Sequence, residues 1–232
     1  MVCTSSARAY APAVTDDHML PGERVRARVN LVRWAQVIPA NAWPSGLPQT
    51  GVLCRRDVFA VAGQWSAGHI TVRALLAASC MWGNGSAGYG PARTLTALRA
   101  HPNGDKLEHN FEPLPGQHPS EADLQSAYQR FNSASPTHLR GLGPAFFTKV
   151  LCFAGSRRGA GGVQPLILDR RIARHLPPAA GPAHARRWGW SSEHWIAYLR
   201  WAADQATRTV FGREPDAVEM ALFSGEWEPD DQ

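Results

Sequence analysis

Apolar residues recur at three- and four-residue intervals along most of this chain, the spacing that gathers them on one face of an α-helix. Residues 30–38 (NLVRWAQVI) read as a short amphipathic helix stopped by Pro39, and residues 71–82 (TVRALLAASCMW) as a second, more apolar one. Pro91 starts a helix that runs to Arg99. Ser120, with Asp123 in place of the usual Glu, forms a capping box ahead of a stripe of Leu124, Ala127, Tyr128 and Phe131. After Pro144, the residues Phe146, Phe147, Val150, Leu151, Phe153 and Ala154 make one wide apolar arc with Lys149 at its edge, closed by Gly155 as a C-cap. Ser192 caps a long helix over 193–211 with Trp195, Ile196, Leu199, Ala203, Ala206 and Val210 toward the core, and Pro215 starts a last short one carrying Val218 and Leu222. No strand alternation and no internal repeat stand out. The expected fold class is all-α.

The chain has 232 residues, 44% of them hydrophobic, enough for one sizeable core. The expected organisation is a loose N-terminal segment over 1–22, a single helical domain over 23–225 and an acidic tail over 226–232. Residues 1–22 lack the basic start and apolar run of a secretory signal, and no stretch is long and apolar enough to span a membrane, so a cytoplasmic monomer is expected. Cys3, Cys54, Cys80 and Cys152 are far apart and the nine histidines are scattered, a pattern without metal-ligand spacing. Neither a metal nor a cofactor is expected.

Charge sharpens the picture. Between Gly155 and Trp190 lie seven arginines (157, 158, 170, 171, 174, 186 and 187) and one acid, Asp169, whereas 212–232 hold seven acids and one arginine. Such a basic band suits a nucleic-acid backbone, and the acidic end is expected to face solvent on the far side. Of 24 basic side chains only Lys106 and Lys149 are lysines. Arginine would serve at a structural surface cation; a lysine, unlike arginine, can become a neutral, nucleophilic amine.

Lys149 follows a turn, Gly141-Leu142-Gly143, with Pro144 at the first position of the next helix. Glycines there admit a phosphate close to the backbone, and Leu142 is expected to point inward and pin the two flanking helices. Pro165-Leu166-Ile167-Leu168 leads directly to Asp169, which stands as N-cap of a helical stretch ended by Pro177. An ionised Asp169 near Lys149 provides what amine activation and a developing cationic sugar require.

On these residues, LRGLGPAFFTKVLCFAG followed by PLILDRRIARHL, the chain resembles the helix-hairpin-helix DNA glycosylases of the 8-oxoguanine class. The resemblance covers about 40 residues, weaker similarity runs over 75–99, and the hairpin spans 136–155. It implies a helix-hairpin-helix DNA glycosylase fold and base-excision repair on double-stranded DNA with a flipped damaged base, an oxidised purine such as 8-oxoguanine. Strand cleavage at the abasic site would go through a Lys Schiff base. By the resemblance Lys149 and Asp169 are the catalytic pair; Arg140, Gly141, Gly143, Arg170, Arg171 and Arg174 grip DNA. In most relatives the lysine stands at the position of Ala145, one helical turn or about 6 Å earlier.

Trp82, Phe146, Trp188 and Trp195 are the aromatic candidates for a base sandwich. Residues 83–90, read as a flexible loop, offer Asn84 and Tyr89 as a wedge into the duplex. Two alternatives stand beside this reading. One is a non-enzymatic helix-hairpin-helix DNA-binding protein with Asp169 only a cap; the other is a monofunctional glycosylase that uses water.

Overall fold

The structure, a computed structural model, describes residues 25–112, 114, 119–132, 134–157 and 159–227. The segment 1–22 and residues 228–232 of the acidic tail lie outside the described residues. Among the described residues ten α-helices are present: α1 Leu31–Val37, α2 Arg55–Ser66, α3 Val72–Asn84, α4 Gly90–Ala100, α5 Asp105–Glu108, α6 Glu121–Phe131, α7 Pro144–Gly155, α8 Arg170–His175, α9 Ser192–Ala206 and α10 Pro215–Ser224. The class is all-α. A two-stranded antiparallel ribbon, β1 Arg26–Arg28 with β2 Val52–Cys54, is the departure from it, each strand too short to write an alternating pattern.

The core is one continuous cluster into which most of these helices dip. Helix α7 lies at its centre, packed against α2, α3 and α6, so its apolar arc is enclosed on several sides. Phe147 meets Tyr128 edge-on and stacks on Phe131, and Phe153 meets Phe59 and Trp82 edge-on. Such pairs add roughly 0.5–1.5 kcal/mol each beyond the area they bury.

Local signals explain where several helices start. The Ser120–Asp123 box is formed, with Asp123 N donating to Ser120 Oγ and Ser120 N donating to Asp123 Oδ2. The cap of α9 is Ser191, not Ser192: its Oγ accepts from His194 N, and Ser192 is already helical. That helix ends at Ala206 rather than Phe211, because a 3-10 turn over Thr209–Phe211 and left-handed backbone at Gly212 and Arg213 turn the chain. Gly155 is still helical, and what its missing side chain accommodates is Pro165, whose Cγ would lie 2.9 Å from an added Cβ.

The entering arm of the hairpin is also different from the expectation. Helix α6 ends at Phe131, and the described residues of 132–143 form bends and turns instead of a flanking helix that runs into the glycine turn. Gly141, at φ +82°, makes the reversal, and Leu142 is buried as its position between the glycines suggested. Asn110 Nδ2 donates to Thr137 O, and a His101 ring nitrogen donates to His138 O, so residues before the turn are held by side chains rather than by a helical ladder.

Candidate active site

Lys149 sits on α7 one turn after the hairpin, and its side chain is 7% exposed. Its Nζ donates to Asp169 Oδ2 at 2.6 Å and to Ala145 O at 2.8 Å. Asp169 divides its two oxygens. Oδ1 accepts from Arg171 N and Ile172 N as the N-cap of α8, while Oδ2 faces the ammonium. Burial works against the charged form of Asp169, but the Lys149 charge, its hydrogen bond and the two backbone N–H groups outweigh it, and the carboxyl is held below its usual range. The carboxylate is therefore ionised throughout the neutral range.

Asp169 reaches this place through an unusual segment. Residues 164–168 are buried, yet they belong to no helix or sheet. Their backbone groups need partners, and side chains from α7, the residue just after it, α9 and α10 supply several of them. Ser156 Oγ donates to Pro165 O at 2.6 Å, and Trp195 Nε1 donates to Leu166 O at 2.9 Å. Ile167 N donates to Glu219 Oε2 at 2.7 Å, and Leu168 N donates to Thr148 Oγ1 at 3.1 Å. Glu219 is itself fully buried against Arg55, 3.0 Å away. Burial disfavours the Arg55 charge, but Glu219, Cys152 and Asp216 raise its pKa above the ordinary value, so the guanidinium stays charged.

This network corrects one expectation. Asp216 and Glu219, two acids of the C-terminal stretch, face the core and the Arg55 guanidinium instead of solvent on the far side. Glu226 N and Trp227 N donate to Ala221 O, and Trp227 packs edge-on against Trp201.

Of the aromatic candidates, the structure brings Phe146 to Lys149: its ring is half-buried with Nζ 5.9 Å from the centroid. Trp82 and Trp195 are core residues, donating from Nε1 to Val25 O and Leu166 O, so neither ring is free to stack on a base. Trp188 is 77% exposed, on the loop before α9. The expected loop over 83–90 is shorter, because α3 continues through Asn84. The Asn84 side chain is the last of that helix, and its Nδ2 donates to Cys80 O at 2.8 Å. Tyr89 is exposed and lies under the Arg93 guanidinium.

Arg93, which the sequence reading passed over, joins three of these parts. Its guanidinium carbon is 5.5 Å from both the Tyr89 and Phe146 ring centroids, and its Nε donates to Gly141 O at 3.1 Å. With Arg140, Gly141, Gly143 and His138 it lines an open groove of about 450 Å³ along the hairpin. Lys149 and Asp169 do not line that groove. Gly141 and Gly143 have no atoms within 4 Å of where a Cβ would stand, so the turn presents bare backbone to solvent.

The predicted DNA-gripping arginines divide. Arg140, Arg170 and Arg174 are exposed on the surface. Arg171 is engaged, with Nε donating to Phe223 O and its guanidinium 4.0 Å from the Phe223 ring, so it ties α8 to α10. Arg157 is engaged as well, donating to Ala154 O and Ser156 O at the end of α7. Arg158 lies outside the described residues.

A bare glycine turn ahead of a core helix, a buried lysine on that helix and an aspartate capping a second helix define a helix-hairpin-helix DNA glycosylase fold. Over residues 21–223 the chain matches the family "Putative 8-oxoguanine DNA glycosylase OGG-like protein", and it belongs to that family. Membership makes it a DNA glycosylase in general terms, with DNA as its substrate. A search of curated proteins and one of solved structures return no match.

Proposed function

We propose that the protein excises an oxidised purine such as 8-oxoguanine from double-stranded DNA and then cleaves the strand, with Lys149 as nucleophile and Asp169 as its partner. The observation that carries this reading is the 2.6 Å contact between the Lys149 ammonium and Asp169 Oδ2, next to a half-buried aromatic ring and one helical turn from the hairpin. A lysine used only as a surface cation would have no need of so enclosed a carboxylate.

The resting ammonium must first lose a proton, because only the neutral amine attacks. Its lone pair forms the C1′–N bond as the bond to the base breaks, and the electron pair leaves on the base, which takes up a proton. Asp169, ionised and adjacent, stabilises the positive charge that develops on the sugar. Ring opening then yields an imine, and loss of a C2′ proton expels the 3′ phosphate. The exposed hairpin glycines, Arg140, Arg170 and Arg174 would hold the backbone while the damaged nucleotide turns out of the stack.

Borohydride tests the nucleophile directly, because it reduces an imine to a stable covalent link. With an 8-oxoguanine duplex the protein should form a trapped adduct and nick the strand, and Lys149→Gln should abolish both while DNA is still bound. Base release without adduct or nicking would assign the attack to water. An adduct that survives Lys149→Gln would transfer the chemistry to Lys106 or the N-terminal amine.

A further inference from the structure

Gly83 stands one residue before the end of α3 without a backbone reason to be glycine. Its φ is outside the left-handed region, and the left-handed cap of this helix is Gly85, at φ +53°. Glycine is disfavoured in a helix relative to alanine. What its missing side chain leaves room for is specific. A Cβ on Gly83 would lie 2.9 Å from Lys149 Cδ, 3.3 Å from Lys149 Cε and 3.6 Å from Phe146 Cε1.

Helices α3 and α7 are packed together, with the Trp82 ring of one edge-on to the Phe153 ring of the other at 5.4 Å between centroids, so their backbones have little freedom to part. The lysine stem, with four rotatable bonds, is the part that would give way. Moving it displaces Nζ, whose place is fixed by contacts of 2.6 Å to Asp169 and 2.8 Å to Ala145 O. We infer that Gly83 is a positioning residue for the reaction: the bare α3 backbone at this residue is the wall along which the Lys149 stem runs to Asp169. The inference rests on the reading of Lys149 as the nucleophile.

Gly83→Ala adds one methyl group where a helix prefers it, which separates packing from chemistry. The variant should fold and should bind a duplex carrying a tetrahydrofuran abasic analogue within about twofold of the unaltered protein, since no hairpin residue is touched. Its saturating single-turnover rate of borohydride adduct formation should fall about tenfold to a hundredfold, the scale of a misplacement near 1 Å. A merely structural glycine would instead leave the saturating rate unchanged.

A double-mutant cycle with Lys149→Ala reads the contact without any activity. Beside Lys149, Gly83→Ala should lower the melting temperature; in the Lys149→Ala background, with no stem to displace, the same change should raise it. Additive shifts would overturn the inference. Should the unaltered protein give no adduct, the nucleophile reading fails on its own, and a coupled pair of shifts would then demote Gly83 to a packing contact and overturn its role in positioning.

Discussion

The two oxygens of Asp169 carry different loads, and this allows its functions to be separated at the scale of a single residue. Oδ1 satisfies two orphan N–H groups at the start of α8, and an asparagine can keep that oxygen in place. Its amide would then aim N–H donors at the Lys149 ammonium, so the acceptor is lost and the positive charge faces a dipole of the wrong sign. Asp169→Asn should therefore keep the fold and DNA binding while lowering base excision by about a hundredfold or more, as expected when a preorganised charge is removed. Near-native excision by this variant in a single-turnover assay would reduce Asp169 to a cap. Lys149 and Asp169 were legible in sequence for plain reasons: one is a rare lysine at the edge of an apolar arc, the other ends an apolar run just before a helix. Arg93 and Gly83 were not, because their roles come from what α4, the hairpin and α7 place beside them. Two of the aromatic candidates lie in the core for the opposite reason. Trp82 and Trp195 are conspicuous in sequence, but periodicity does not tell a ring on the core face from one lining a pocket.

At the scale of elements, the segment 164–168 determines whether Asp169 reaches Lys149 at all. A buried segment outside any helix or sheet depends on partners for its backbone groups, and here those partners come from α7, α9, α10 and the residue just past α7. Thr148 adjoins Lys149 and is fully buried; its hydroxyl donates to Pro144 O and accepts from Leu168 N. Thr148→Val keeps the shape but removes the acceptor, leaving a buried N–H unpaired at a cost of about 1–3 kcal/mol. Urea unfolding should register that loss, and adduct formation should slow as well because Leu168 is next to Asp169; an unchanged unfolding midpoint would show that Thr148 is dispensable to the segment. The sequence reading identified the segment as apolar but had no means of seeing its partners, which lie up to 52 positions away. It also missed α2, where Gly63, Gln64 and Ser66 interrupt the apolar stripe, and with it Arg55, the cation that pairs with Glu219. The stripes of α6 and α9 were easier to read because each buries mainly one face over several turns, and α3 and α7, buried along most of their length, stand out as apolar runs.

For the whole molecule, the separation of charge along the chain has a consequence for stability against pH. The acids near the C-terminus are not a uniform solvated end, since Asp216 and Glu219 are enclosed with Arg55. Burial pushes the Asp216 carboxyl up to about 7, with Glu219 and Glu214 adding to the rise and Arg55 opposing it, and its Oδ2 has no hydrogen-bond partner. The folded chain thus keeps a proton on Asp216 up to about pH 7, while the unfolded chain releases it in the ordinary carboxylate range. Between those limits the folded state binds more protons, so stability declines as pH rises, and above about 7 the decline is complete. Asp169 has the opposite sign. Its carboxyl is held low, so its contribution is fully present above the ordinary carboxylate range and is lost as pH falls below it through the folded value. The two windows meet without overlapping, and a comparison at pH 5 and pH 8 reads Asp216 alone of this pair. Replacing Asp216 by Asn removes the titration while keeping the size of the side chain. Urea unfolding should show the unaltered protein losing stability from pH 5 to pH 8 relative to Asp216→Asn by on the order of 2 kcal/mol. Groups that do not face Asp216 cancel in that difference. Parallel pH profiles for the two would mean that Asp216 is ionised in the fold, with Arg55 neutralising it as well as Glu219.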